Sequence, residues 1–229
     1  MRLLLVIVFF LFGFFGVGQE QQIKDVDSLY KEDQLYVGIT YNFLGNKPKR
    51  LSQNGFSLGF HLGFIKDMPI NKRRNLAIGL GLGYSANSFN QNVLIDKSDN
   101  NRFVYSILDD PNAYTKNKFS MHLVEVPLEF RWRTSTSISY NFWRIYTGFK
   151  ASYMLAHTSK YRGDLGSIKY TDIGDFNKFQ YGVTLSVGYN TWNIHLYYAL
   201  NSIFSDNVNL VEDSLNINAI KIGLIFYLL

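Results

Sequence analysis

"LVEVPLEFRWR" (residues 123–133) alternates strictly. Val124, Val126, Leu128, Phe130 and Trp132 are apolar, and Glu125, Pro127, Glu129, Arg131 and Arg133 lie between them. Period two reads as a β-strand with one apolar and one polar face. Two features are awkward for an ordinary half-buried strand. The polar face carries both signs of charge, and a proline, which lacks the N–H a ladder needs, sits in the middle. A barrel strand that turns its apolar face out to lipid and its charges into a narrow lumen explains the first. The second predicts a bulge or a broken ladder at Pro127, the least regular point of a structure with no edge strand to hide it.

Seven further stretches repeat the pattern, giving eight strands at 35–43, 56–64, 76–86, 121–132, 143–155, 179–189, 192–200 and 218–229. Their lengths suit tilted membrane-crossing strands of about 9–11 residues. Connections alternate. Those at 44–55, 87–120, 156–178 and 201–217 are long, and those at 65–75, 133–142 and 190–191 are short. Long loops at one end and short turns at the other is the pattern of an outer-membrane barrel. The expected fold is therefore all-β: an eight-stranded antiparallel up-and-down transmembrane β-barrel, closed, with a lumen filled by side chains.

A soluble eight-stranded barrel also alternates, with its apolar face inward. Here the polar face is crowded with Gly and Ser, as in "LAIGLGLGYSA" (76–86), which suits a tight lumen. The apolar face is a band of Leu, Ile, Val and Phe with aromatic ends. The strand order places Trp132, Trp143 and Trp192, with Tyr189 and Phe226 beside them, at the short-turn rim, as a periplasmic aromatic girdle.

The start, "MRLLLVIVFFLFGFFGVGQ", has a positive residue, an apolar run and small residues at Gly16 and Gly18, so residues 1–18 read as a secretory signal peptide. Residues 19–34 then form a periplasmic lead-in and 35–229 the barrel. With no cysteine, disulfides and lipid attachment through Cys are excluded. The formal charge is +5, and its basic residues are scattered apart from "NKRRN" (71–75), which argues against nucleic acid as a partner.

"KIGLIFYL" (221–228) resembles the C-terminal sorting signal read by the barrel-assembly machinery, through Gly223, Phe226 and Leu228, although the chain ends on Leu rather than an aromatic residue. "VEVPL" (124–128) followed by "RIYTG" (144–148) resembles the PorT-like outer-membrane β-barrel family of Bacteroidetes. That resemblance implies the barrel, the outer membrane of a Gram-negative bacterium, and an accessory role in an envelope machine such as type IX secretion and gliding or outer-membrane protein assembly. The implied partners are outer-membrane lipid, the assembly machinery during biogenesis, and other outer-membrane or periplasmic proteins.

For chemistry, the lumen face collects Glu125, Glu129, Arg131, Arg144, Lys150 and Lys221, with His61 and His195. Glu129 and Arg131 are expected within reach of Arg144 on the next strand, and the set reads as a charge network that fills the interior. The chief alternative is a lipid-modifying enzyme. Eight-stranded lipid A deacylases carry a Ser-His-acid arrangement on the outer barrel surface, and Ser120 and His122 share an outward face. Those enzymes have His-x-Ser rather than Ser-x-His, and no acid is obvious nearby. A passive structural barrel or adhesin is the third reading.

No catalytic, cofactor or metal site is expected. The four histidines (61, 122, 157 and 195) lack ligand spacing. Asp164, Asp172 and Asp175 read as solvated loop acids rather than calcium ligands, and "GLGLG" (79–83) lacks the helix of a phosphate loop. The long loop 87–119 is left to fold onto the barrel mouth or to bind a partner.

Overall fold

The computed structural model describes residues 33–134, 142–205, 208, 210 and 214–228. The expected signal peptide and nearly all of the lead-in lie outside these. In chain order the strands are β1 (Gln34–Gly45), β2 (Leu58–Pro69), β3 (Leu76–Asn90), β4 (Val93–Lys97), β5 (Phe103–Ile107), β6 (Tyr114–Arg133), β7 (Trp143–Gly163), β8 (Gly166–Thr171), β9 (Phe179–Tyr189), β10 (Trp192–Ala199) and β11 (Asn218–Leu228).

Eight of them close a barrel. The order β1-β2-β3-β6-β7-β9-β10-β11 is antiparallel throughout, and β11 pairs back onto β1. Ala77 faces Arg131, and the register then runs through Tyr146, Ser186, His195, Gly223, Thr40 and Gly59 to Asn87, ten residues further along β3. That stagger tilts the strands by about 35–45° and leaves an interior only wide enough for side chains. At one end Asn190, in the left-handed region (φ 55), makes the two-residue turn between Tyr189 and Trp192.

Outward residues form the exposed apolar band that the sequence pattern predicts, including Val37, Phe60, Leu82, Leu128, Phe130 and Val183. The alternate residues are buried. The glycines of "GLGLG" make the room: a Cβ on Gly79 would lie 2.8 Å from Arg131 Nε, and one on Gly81 would lie 3.1 Å from Pro127 Cγ.

Pro127 breaks the ladder without a bulge. Leu80 pairs with Leu128 and Gly83 with Glu125, but the two rungs between them are missing, while pairing of β6 with β7 runs on through Pro127. The proline nitrogen cannot donate to β3, and Gly81 accepts its ring, so the strand keeps its register. The irregularities of register fall elsewhere, at His122/Leu123, where Leu155 is the extra residue of β7, and at Tyr114/Lys116. The expected break in the ladder is therefore present at Pro127, whereas the shifts of register lie elsewhere.

Five of the eight barrel strands, β1, β2, β3, β6 and β7, are longer than the sequence pattern implied. β2 continues to Pro69, so the turn shrinks to 70–75, and β6 and β7 run for 20 and 21 residues, about twice a membrane crossing. β8 adds a third strand to the projecting ends of β6 and β7. The loop 87–119 contains the β4–β5 hairpin.

At the long-loop end the interior changes character. Phe89, Phe119, Met121, Leu123 and Met154 point inward and join Val93, Ile95 and Tyr105 of the hairpin and Ile173, Phe176, Ile203 and Phe204 of the loops in one apolar core. Phe204 packs its ring against Phe176 (4.5 Å between centroids), Tyr105 (5.6 Å) and Phe119 (5.8 Å). Loop 87–119 thus folds onto the barrel mouth.

Candidate functional site

The lumen below this cap holds two charged clusters on adjoining levels. Nearest the short turns, the Asp67 carboxylate receives both terminal nitrogens of Arg133 (2.9 and 2.8 Å) and one of Arg131 (3.0 Å). Arg131 also donates to Glu129 (3.1 Å) and to Gln34 Oε1 (2.9 Å). Its guanidinium lies 4.5 Å from the centre of the Tyr146 ring, which packs edge-on to Tyr227. Asp67, Arg131 and Arg133 are all shut off from solvent. Such burial is tolerated only when each charge has a partner and its remaining donors are used.

Midway up the barrel, Glu125 is the centre. It accepts a hydrogen bond from Ser85 Oγ (2.7 Å), and the Lys150 ammonium lies 3.0 Å from its other oxygen, close enough for an ion pair though off the hydrogen-bonding axis. His61 Nδ1 is 3.6 Å away, and its Nε2 lies 3.0 Å from Thr40 Oγ1. The ammonium groups of Lys221 and Lys150 sit 4.9 and 5.7 Å from the centre of the Tyr197 ring. His195 Nδ1 lies 2.7 Å from Ser186 Oγ.

Glu125, Glu129, Arg131, Arg144, Lys150 and Lys221 all face the lumen, but not as one network. Arg144 is the correction. It stands opposite Arg133 in the ladder rather than beside Glu129, it makes no ion pair among the described residues, and its guanidinium covers the Phe142 ring at 4.5 Å. Lys221 meets an aromatic face rather than a carboxylate.

Sequence reasoning missed Asp67 and the buried role of Arg133 because it ended the strands at Phe64 and Trp132. Continuing period two through "FIKDMP" puts Ile65 and Asp67 on the same side as His61, and that signal was present. Gln34 was assigned to the lead-in, yet it opens β1 and its side chain reaches Arg131.

At the short-turn rim, Trp143 lies 5.3 Å from Tyr189, and Trp192 lies 5.2 Å from Phe226, ring to ring. Trp132, the last residue but one of β6, lies at the same rim, opposite Ile145 and Leu76. Gly223 faces the lumen between Thr40 and His195, while Phe226 and Leu228 lie on the outer face of β11 opposite Val37 and Leu35.

Ser120 and His122 share an outward face near the long-loop end. The ladder puts Ser88 and Thr158 beside Ser120, and the Tyr84 hydroxyl lies 2.5 Å from His122 Nδ1. Among the described residues Asp164, Asp172 and Asp175 form no group able to hold a metal ion; Asp175 accepts a hydrogen bond from Tyr105.

A family model described as "Outer membrane protein beta-barrel domain" matches residues 19–205. The match runs through β10, and β11, beyond it, closes the barrel against β10 and β1. No curated protein matches the chain.

Proposed function

The chain belongs to the outer membrane protein β-barrel domain family, and from that premise we propose that it is a non-enzymatic, membrane-anchored accessory subunit of an envelope machine in a Gram-negative bacterium. The observation that carries this reading is the filling of the lumen. The Asp67–Arg131–Arg133 cluster occupies one level, the Glu125–Lys150 cluster the next, and the apolar cap closes the mouth. A barrel packed in this way offers surfaces rather than a conduit. The long-loop end faces outward from the cell, and the short turns, with the start of β1 and the end of β11, face the periplasm.

The narrower reading, type IX secretion and gliding, rests on the resemblance of residues 124–128 and 144–148 to the PorT-like family. Extraction in a mild detergent followed by affinity purification tests it: the barrel elutes with envelope partners in fixed stoichiometry, and its deletion impairs export of cargo. A solitary barrel with normal export counts against the proposal. The lipid-modifying alternative gains no support from the surroundings of Ser120 and His122, where among the described residues the histidine meets the Tyr84 hydroxyl and no carboxylate. Lipid A composition unchanged by Ser120→Ala and His122→Ala is the expected result, and an altered composition overturns the non-enzymatic reading.

A further inference from the structure

From the outward face of the long-loop end we infer a binding surface for an anionic glycolipid of the outer leaflet. There β6, β7 and β8 form a three-stranded antiparallel sheet that projects beyond the apolar band. Lys118 pairs across the ladder with Lys160, and Lys160 with Lys169, so three ammonium groups stand in one row across three strands. Lys116 faces Arg162 in a second row. None of these five makes an ion pair with an acidic residue among the described residues. Like charges directly opposed across a sheet destabilise it. Burial, together with Lys116 and Lys160, lowers the pKa of Lys118. An anion laid over the row relieves that repulsion.

Position selects the anion. Going up the outer face of β6, the apolar residues Phe130, Leu128, Val126 and Val124 give way to His122 and Ser120, then to Lys118 and Lys116. At ~3.3 Å per residue and a tilt of about 40°, Lys118 stands roughly 15 Å above Val124. A phospholipid headgroup layer about 5–8 Å thick ends below it. A headgroup extended by sugars bearing phosphate or carboxylate reaches it.

Beneath Lys118 a shallow depression of about 330 Å³ opens on the same face, where small residues Ala86, Ser88 and Ser120 interrupt the band and Phe56 and Phe60 form a wall. Phe56 is 81% exposed. An apolar wall under a cationic rim fits an amphiphile, its chain or sugar face on the rings and its anions at the lysines. It fits an acidic polypeptide, which has no use for the wall, less well.

The test uses the full-length protein in neutral detergent, titrated with diphosphoryl lipid A bearing two carboxylated core sugars, with complexes counted by native mass spectrometry. The wild-type barrel binds it and does not bind phosphatidylcholine. The triple variant Lys118→Gln/Lys160→Gln/Lys169→Gln weakens binding by roughly a hundredfold, at the usual worth of a lysine on an anionic surface. The triple Arg variant retains binding, and Lys66→Gln/Lys72→Gln/Arg73→Gln, exposed at the opposite, short-turn end, leaves it unchanged.

A gel shift between boiled and unboiled samples checks folding, and the single change Lys160→Glu, which sets an anion within the row, tests the same point if the triple variant does not fold. Equal binding by the triple Gln variant, or equal loss in the distant variant, overturns the inference. Polyglutamate binding as tightly as the glycolipid overturns the lipid as ligand and assigns the row to an acidic protein segment. None of these outcomes depends on partner co-purification, so this inference and the accessory-subunit reading fail separately.

Discussion

β6 crosses two environments, and its two halves obey opposite rules. From Val124 to Arg133 its apolar residues point out and Glu125, Glu129, Arg131 and Arg133 point in. From Tyr114 to Leu123 the faces exchange roles. Lys116 and Lys118 point out, while Phe119, Met121 and Leu123 enter a core. The lower half meets lipid, so its polar groups must retreat to a narrow interior and satisfy one another there. The upper half meets water and behaves as a soluble domain, burying apolar side chains under loops. Stability therefore has different origins at the two levels. Below, it depends on complete pairing of buried charge. Above, it depends on packing.

The sharpest way to break this comparison is to remove one carboxylate from the lower half. Asp67→Ala takes from Arg133 the two hydrogen bonds to this carboxylate and from Arg131 a carboxylate partner. The expected loss is about 3–5 kcal/mol, the usual cost of breaking a buried pair, read as a lower urea midpoint for the barrel in lipid vesicles. Lys150→Gln belongs to the same class, because it takes the ammonium from beside buried Glu125.

Phe204→Ala comes next. Truncating a buried phenylalanine costs about 3–5 kcal/mol, but here the loss falls on the cap. Limited proteolysis is expected to open the loop between β10 and β11 while the gel shift of the barrel persists. A vesicle-unfolding midpoint as depressed as that of Asp67→Ala would show that the two halves do not fold as separate levels.

The lower half was the more legible in sequence because lipid imposes one rule on every strand. Outward Leu, Val and Phe alternating with Gly, Ser and charge cannot be mistaken over eight repeats, and the short turns and tryptophans fix the end. The upper half was hidden by its own inversion. "YTKNKFSM" (114–121) still alternates, but lysine on the outer face and phenylalanine on the inner one look like a polar loop to a reading tuned to lipid-facing residues. The limits of the charge network were lost for a related reason. Asp67 lies where Lys66 replaces an apolar outward residue, so the strand appears to have stopped. Arg144 shows the remaining gap: period two places it in the lumen, but only the register reveals that Arg133 stands opposite.

A smaller effect separates the halves by pH. His157 lies above Leu155, in the projecting part of β7, where its Nε2 accepts the Ile173 N–H at 2.7 Å and its ring stacks on Phe176. Burial holds its pKa below the usual histidine value, with Lys178 acting in the same direction and Asp172 opposing. A depressed histidine pKa means the folded state prefers the neutral ring, so its contribution is complete above about pH 6.5 and is lost as pH falls through the folded value. Proteolysis of the 172–178 loop should accelerate below that pH, with the barrel unmoved, and His157→Gln should flatten the profile.

The smallest effect is the most diagnostic, because it reverses sign. Lys160→Gln removes the middle charge of the Lys118–Lys160–Lys169 row and relieves two cross-strand repulsions. In lipid-free detergent at low salt it should stabilise the projecting sheet by about 0.2–1 kcal/mol, seen as slower amide exchange in β8. At 1 M salt, where the Debye length is about 3 Å, the gain should largely disappear. The same Lys→Gln change at position 150 destabilises, and salt rescues it little, because that ammonium sits beside a carboxylate buried away from solvent ions. Identical chemistry then yields opposite outcomes at two positions of one strand, β7, decided only by whether the residue lies above or below the point where the faces invert. If both substitutions shift stability in the same direction, the inversion at Leu123–Val124 does not govern the energetics of the barrel.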